Sequence, residues 1–227
     1  VRGQYADQQR RRPCPQLPFK YKRTENAFLQ AEFEQVNLTG VTGGIAAGKS
    51  TVLAIIAELG QPILDSDTVV HQLYRDSDEL RQLLVTQWGE QILTATNQID
   101  RNVVAAKIFA DDRQRQWLNE QLHPRVHRQV LAAAAAVAPQ ILFCAVPLLF
   151  EVQWQRFCRQ TIAIWCTPEQ QQQRLAHRGW TARQIEQRLA AQLSMDEKLA
   201  RADFGLINTG SLDWLRQQCE LLLQKIL

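Results

Sequence analysis

No run of residues in this chain approaches the roughly 18 consecutive apolar residues that a membrane-spanning helix needs. The most apolar stretch, residues 141–150, has the length of a buried strand. Cysteines in ligand or redox spacing are also missing. The five, Cys14, Cys144, Cys158, Cys166 and Cys219, are odd in number, and no two stand in C-x-x-C spacing. They read as small buried hydrophobes in a reducing cytoplasm, not as a disulfide framework or a zinc site. The body of the chain lacks a charge excess. The net charge is +3, yet residues 1–35 hold seven Lys or Arg against four Asp or Glu, and residues 36–227 hold nineteen of each. A neutral body argues against a broad nucleic-acid surface. The arginine-rich start has no apolar h-region, which argues against a secretory signal.

What remains is a chain of 227 residues, 45% of them hydrophobic, enough for one α/β domain of roughly 200 residues and a short extension. Residues 1–35, with Arg10, Arg11, Arg12, Pro13, Pro15 and Pro18, read as a basic, disordered N-terminal extension. Regular structure is expected over residues 36–227. Strand character over 36–41 runs into a glycine-rich turn, and 50–59 has helical spacing, with Val52, Ile55, Ile56 and Leu59 on one side. A short strand is expected at 62–64. Helices follow over 68–88 and 101–138, with breaks. The unalternating apolar segment 141–146 suits a central parallel strand, and 161–166 suits another. Thr167, Pro168 and Glu169 have helix-start chemistry. Thr181 with Gln184, and Ser194 with Glu197, have capping-box spacing. Leu206 and Ile207 read as a last strand, and 211–227 as a closing amphipathic helix. Strands alternating with helices predict an α/β fold, a parallel sheet with helices on both faces.

Gly43, Gly44, Ile45, Ala46, Ala47, Gly48, Lys49 and Ser50 fit G-x-x-x-x-G-K-[ST], between a strand and a helix. Glycines let backbone N–H groups turn inward around phosphate oxygens. The helix that follows offers unpaired N–H groups and its positive end to the same anion. Lys49 is placed for the β- and γ-phosphates, Ser50 for Mg²⁺, and Thr51 for the α-phosphate. No N-K-x-D motif is present, and Asp65 to Thr68 does not extend to D-x-x-G. Together with the small size, this favours a metabolite kinase over a switch GTPase or a motor.

Asp65-Ser66-Asp67 ends the second strand, and ligands of such sheets bind beyond the carboxyl ends of strands. One carboxylate can accept a hydrogen bond from an attacking hydroxyl, and the other can hold a Mg²⁺-bound water. Either also suits the N-cap of the next helix, which needs only one of them. Arg174 and Arg178, four apart, are expected on one helix face, as are Arg188 and Gln192. Two short helices bearing arginine suit a lid that closes over phosphates, since phosphoryl transfer needs charge stabilisation and exclusion of water.

These residues, in this order, resemble the dephospho-CoA kinases. The resemblance covers about 36–225. It rests on the phosphate loop, Asp65-Ser66-Asp67, Ile99-Asp100-Arg101, Leu118-Asn119 and His123-Pro124. It continues through Pro147-Leu148-Leu149-Phe150-Glu151, Arg174 with Arg178, Arg188 with Gln192, Lys198, Ala202-Asp203-Phe204 and Asn208-Thr209-Gly210. It implies a P-loop NTPase-type core, a helical acceptor-binding region over about 68–138 and a helical lid over about 170–195. It also implies transfer of a phosphoryl group from ATP, with Mg²⁺, to the ribose 3′-hydroxyl of dephospho-CoA. Asp67 would then orient or deprotonate that hydroxyl, while Lys49, Arg174, Arg178 and Arg188 stabilise the transferring group. Asn208 would belong to the adenine-side loop. Asp65, His123, Pro147, Leu148 and Glu151 would border the acceptor, and Ser50, with Asp65 through water, would serve Mg²⁺. Four positions depart from the family pattern: Ala46 and Ala47 in the loop, Ile207 where Asp is usual, and Ala145 where some members carry a strand carboxylate. Two other readings remain open: a small P-loop kinase acting on a nucleotide or sugar-like hydroxyl, and a non-catalytic ATP-dependent module using the basic arm on nucleic acid.

Overall fold

The computed structural model describes residues 37–227 with the exception of Arg178. The expectations for the N-terminal extension and for Cys14 therefore lie outside the described residues. Five strands, β1 (Leu38–Gly43), β2 (Ile63–Asp65), β3 (Leu142–Ala145), β4 (Gln160–Trp165) and β5 (Phe204–Ile207), form one sheet in the order β2-β3-β1-β4-β5. Every pairing is parallel.

The sheet is apolar on both faces because its inner strands present residues to both. On β3, Leu142 and Cys144 join a core with Leu80, Leu84, Leu118 and Val130. Phe143 and Ala145 point the other way, into a core with Val52, Ile56, Leu215 and Leu222. The helices sort accordingly. α1 (Lys49–Glu58) and α9 (Leu212–Ile226) cover the second face. The four helices between β2 and β3 supply the first: α2 (Ser66–Asp76), α3 (Asp78–Trp88), α4 (Arg101–Ala110) and α5 (Asp112–Ala136). α6 (Pro168–Ala176), α7 (Ala182–Ala190) and α8 (Met195–Arg201) lie between β4 and β5.

The two long helical stretches expected from periodicity are each broken once, at a capping residue. Ser77 Oγ accepts the Leu80 N–H at 3.2 Å, and Asp111 Oδ1 accepts the Arg113 N–H at 2.7 Å. Both side chains compete with the helix they interrupt and start the next one. Thr181 and Ser194 form reciprocal capping boxes with Gln184 and Glu197, as their spacing predicts.

β5 is an edge strand and is fastened at both ends. At its exit, Gln218 of α9 donates to the Ile207 carbonyl at 3.0 Å and accepts the Ile207 N–H at 2.9 Å. At its entry, Asp203 Oδ2 accepts the Thr161 N–H at 2.8 Å and its hydroxyl at 2.7 Å. Thr161 is buried, 4% exposed, so water does not replace those bonds. Asp203→Ala is expected to lower the free energy of unfolding by about 1–3 kcal/mol, read as a fall in urea midpoint at constant m-value. Asp203→Asn, which keeps the acceptor oxygen, should retain part of it. An unchanged midpoint in the alanine variant would contradict this fastening.

Candidate active site

Register brings three strand ends together. Ala145 is paired with Val41 on one side and with Asp65 on the other. β1 and β2 thus stand two strand spacings apart, about 10 Å, with Ala145 of β3 between their ends. The phosphate loop leaves β1 at Gly43, and the acidic pair leaves β2 at Asp65. Both open into one cleft of about 310 Å³, at the lower end of small-molecule sites. Gly48, Lys49 and Ser50 line it from the loop, and Asp65 and Asp67 from β2 and α2. Ala145 and Pro147 form the wall between, and Trp180, Arg188 and Gln192 close it from the α6–α8 segment.

Among the described residues there are nine α-helices, and eight have a side-chain N-cap: Asp65, Ser77, Asp100, Asp111, Thr167, Thr181, Ser194 and Ser211. The exception is α1, whose N-cap is Gly48, with φ of 105° and no side chain to accept from its first turn. Its leading N–H groups are left for an anion. Glycine suits position 48 because the φ is left-handed, and a Cβ there, 2.1 Å from Asn208 Nδ2, would also force that side chain to move. Ala46 also has positive φ, 59°, at a cost of about 1–2 kcal/mol for a residue with a Cβ. Substituting alanine in this loop therefore leaves local strain in the backbone.

The loop's outward carbonyls are tied down from behind. Gln171 of α6 donates to Ile45 O at 2.8 Å, and Asn208 Nδ2 donates to Ala47 O at 2.8 Å. Arg174 reaches Ala46 O and Ala47 O at 3.4 and 3.3 Å, and Asn208 O at 3.0 Å. Arg174 and Asn208 therefore brace the loop and do not line the cleft. Lys49 Nζ donates to Gly43 O at 2.9 Å and Gly44 O at 3.1 Å.

Of the two candidate carboxylates, Asp65 is the cap: its Oδ1 accepts the Asp67 N–H at 2.9 Å. That leaves Asp67, one residue into α2, facing the cleft. Burial pushes the Asp67 carboxyl above the usual carboxylate range, and the neighbouring charge of Asp65 adds to this. Lys49, His71 and Arg188 pull the other way. Arg188 stacks on Trp180, with its guanidinium carbon 4.5 Å from the ring centroid. Trp180 and Ile185 pack on Ile45, Ala46 and Leu175, so the segment from α6 to α7 rests on the phosphate loop.

Several expectations need correction. α6 ends at Ala176, so Arg174 and position 178 do not share its face, and Arg178 lies outside the described residues. α7 ends at Ala190, so Gln192 is not on a helix face with Arg188, although both reach the cleft. Glu151 is not at the acceptor wall. Its side chain is 4% exposed and paired with Lys198 at 2.9 Å. Pro147 lines the cleft, but Leu148 does not, and His123 sits half-buried on α5, where burial lowers its pKa. Sequence reasoning gave no site role to Trp180 or Gln171, and periodicity carried no signal for either.

The raised pKa of Asp67 has a consequence for stability. A carboxyl whose folded pKa exceeds its unfolded one stabilises the fold at pH below the unfolded value, and that contribution is lost as pH rises through the folded value. The charged form of Asp67 therefore weakens the substrate-free protein. Asp67→Asn should raise the melting temperature at pH 7, and the gain should disappear on acidification below about pH 3.8. A melting temperature lowered at pH 7 would contradict this.

The sequence profile of the family described as dephospho-CoA kinase matches residues 37–213. A dephospho-CoA kinase of Synechococcus sp. (strain JA-3-3Ab) is 35% identical over 206 residues, covering 81% of this chain and 90% of that protein. One from Arabidopsis thaliana is 32% identical over 195 residues, 84% of each. Among solved structures, the dephospho-CoA kinase of Campylobacter jejuni matches with a TM-score of 0.59 at 26% identity, over 84% of this chain and 97% of that one. The Thermus thermophilus protein TT1252 matches with a TM-score of 0.73 at 27% identity, over 85% and 99%. With its phosphate loop and acidic strand end in one cleft, this chain belongs to the dephospho-CoA kinase family.

Proposed function

We propose that this chain transfers the γ-phosphoryl group of ATP to the ribose 3′-hydroxyl of dephospho-CoA, giving CoA and ADP, the last step of coenzyme A synthesis. The observation that carries the reading is the shared cleft: Lys49 and Ser50 on one side, Asp67 on the other, and only Ala145 and Pro147 between. An anion held at the start of α1 and a hydroxyl beside Asp67 would be neighbours there. Placing the two reactants in line is the main work of such a site, with fixed charge doing the rest.

In this mechanism the N–H groups of residues 43–51 hold the phosphates. Lys49 exchanges the Gly43 and Gly44 carbonyls for phosphate oxygens, and Arg188 meets them from the lid side. Arg174 and Asn208 keep the loop's carbonyls turned away, so that its N–H groups face inward; Arg178 is retained as a lid arginine. Asp67 accepts a hydrogen bond from the 3′-hydroxyl and takes its proton late in the transfer. Its raised pKa makes its carboxylate a better base than an ordinary aspartate.

The donors available for a cation are all oxygen: Ser50, exposed at the first turn of α1, and Asp65, whose Oδ1 is used in capping. That set suits Mg²⁺, which keeps several waters and is completed by phosphate oxygens. Ser50 would hold it directly and Asp65 through water. It would supply neutralisation of phosphate charge. The helices over about 68–138 would bind the acceptor, with His123 and Leu148 beyond the phosphate cleft, and residues 170–195 would act as the lid. A cytoplasmic setting belongs to the same reading. Cys144, Cys166 and Cys219 are free and buried, and among the described residues no helix is long and apolar enough to cross a membrane.

With Mg·ATP and dephospho-CoA, the purified protein should give a product one phosphoryl group heavier by mass spectrometry. Asp67→Asn should lower kcat by about 10²–10⁴-fold with ATP affinity little changed, and Lys49→Ala should impair use of ATP. No product from the unmodified protein would remove the reading, and near-normal turnover in Asp67→Asn would remove Asp67 from its role.

A further inference from the structure

Lys198 on α8 is 0% exposed, and its partner Glu151 is 4% exposed. Lys198 Nζ lies 2.9 Å from Glu151 Oε1 and donates to Pro147 O at 2.5 Å. The same Glu151 oxygen accepts the Leu193 N–H at 2.8 Å. The other, Oε2, is buried and has no hydrogen-bond partner among the described residues. Taking two charges out of water costs more than their attraction returns unless the remaining lone pairs are satisfied. Here one carboxylate oxygen is not. Apolar pairs of similar volume often hold a fold about as well as a buried ion pair, so stability alone is a weak reason for these residues.

What the pair does hold is backbone around the cleft. Pro147 lines it, and its carbonyl also accepts the hydroxyl of Thr42 at 3.3 Å, one residue before the phosphate loop. Leu193 follows Gln192, which lines the cleft and closes the segment carrying Arg188. Met195, on the same helix as Lys198, packs where a Cβ on Gly44 would lie, 2.5 Å from that point. The strand-end wall, the base of the lid and the phosphate loop thus share one ionic node. We infer that Lys198 and Glu151 are a positioning pair for phosphoryl transfer. They fix the acceptor-side wall and the base of the lid relative to the phosphate loop without touching substrate. This inference rests on the phosphotransferase reading above.

The geometry, not the charge, is what turnover depends on, and this separates stability from rate. Lys198→Met with Glu151→Leu removes both charges and both backbone contacts at similar volume. In that double variant the relief of two buried charges offsets the loss of the two backbone contacts, so it should melt near the wild-type temperature, yet lose about 10–100-fold in kcat, the scale of an ångström-sized misplacement. Its affinity for a non-hydrolysable ATP analogue should change little. Glu151→Gln and Glu151→Leu alone both leave the lysine charge without a counter-charge and should lower the melting temperature, leucine the more, because glutamine keeps an acceptor oxygen. Only glutamine keeps an acceptor for the Leu193 N–H, so its turnover should stay within about threefold of wild type while leucine loses about tenfold or more.

The assay is ATP plus dephospho-CoA, below every melting point, with wild type in parallel. A stable double variant with wild-type kcat overturns the inference. If the double variant does not fold, the two single variants decide: equal turnover in them overturns it, and rescue by glutamine supports it. An inactive wild type would instead sink the functional reading, which keeps the two failures apart.

Discussion

The pairing of Val41, Ala145 and Asp65 across three parallel strands is the constraint on which the site depends. A parallel sheet sends all its strand ends to one edge. Register decides which residues leave that edge together. A slip of one residue in β2 would turn its side chains to the opposite face and take the acidic turn away from the phosphate loop. Both faces of the sheet are buried, and the alternation of Leu142 and Cys144 against Phe143 and Ala145 ties each side chain of β3 to one core. The packing that stabilises the fold is therefore also what aligns the site. Ala145, between the two strand ends, also forms part of the cleft wall.

On that frame, the functional features are the places where local rules are relaxed. Eight of nine described α-helices satisfy their first turn with a side chain, and the ninth, α1, leaves it for a ligand. Ala46 holds a left-handed conformation against its Cβ. Asp67 is kept among groups that disfavour its charge, although Lys49 and Arg188 offset part of this. Lys198 and Glu151 are buried with one oxygen unsatisfied. Each costs some stability, and each lies in the cleft or next to it. The remainder of the molecule follows the rules: capping boxes at Thr181 and Ser194, paired edges at Ile207, and apolar residues on both sheet faces.

The parts of the fold written in local sequence were legible without coordinates. The phosphate loop is read from eight consecutive residues, the acidic turn from three, and the helix starts at Thr167, Thr181 and Ser194 from capping chemistry. Each of these is short-range chemistry. What was not legible depends on long-range placement or on where a helix stops. Arg174 has the composition of a lid arginine, but its guanidinium reaches loop carbonyls more than 120 residues away in sequence. Glu151 and Lys198 stand in separate motifs, and no spacing rule pairs them. Gln192 reached the cleft for a reason other than the one expected, because α7 stops two residues short of it. Spacing alone left Asp65 and Asp67 open and the family resemblance favoured Asp67; the hydrogen bond from the Asp67 N–H to Asp65 Oδ1 agrees, because it engages Asp65 in capping.

The central claim is spatial: donor phosphate and acceptor hydroxyl meet across Ala145, with Asp67 at the hydroxyl. A crystal structure with a non-hydrolysable ATP analogue, Mg²⁺ and dephospho-CoA tests it most directly. The account predicts the ribose 3′-oxygen within about 3–3.5 Å of the γ-phosphorus and hydrogen-bonded to the Asp67 carboxylate. Dephospho-CoA bound with its ribose away from the β2 end, or Asp67 turned from the 3′-oxygen, would contradict it.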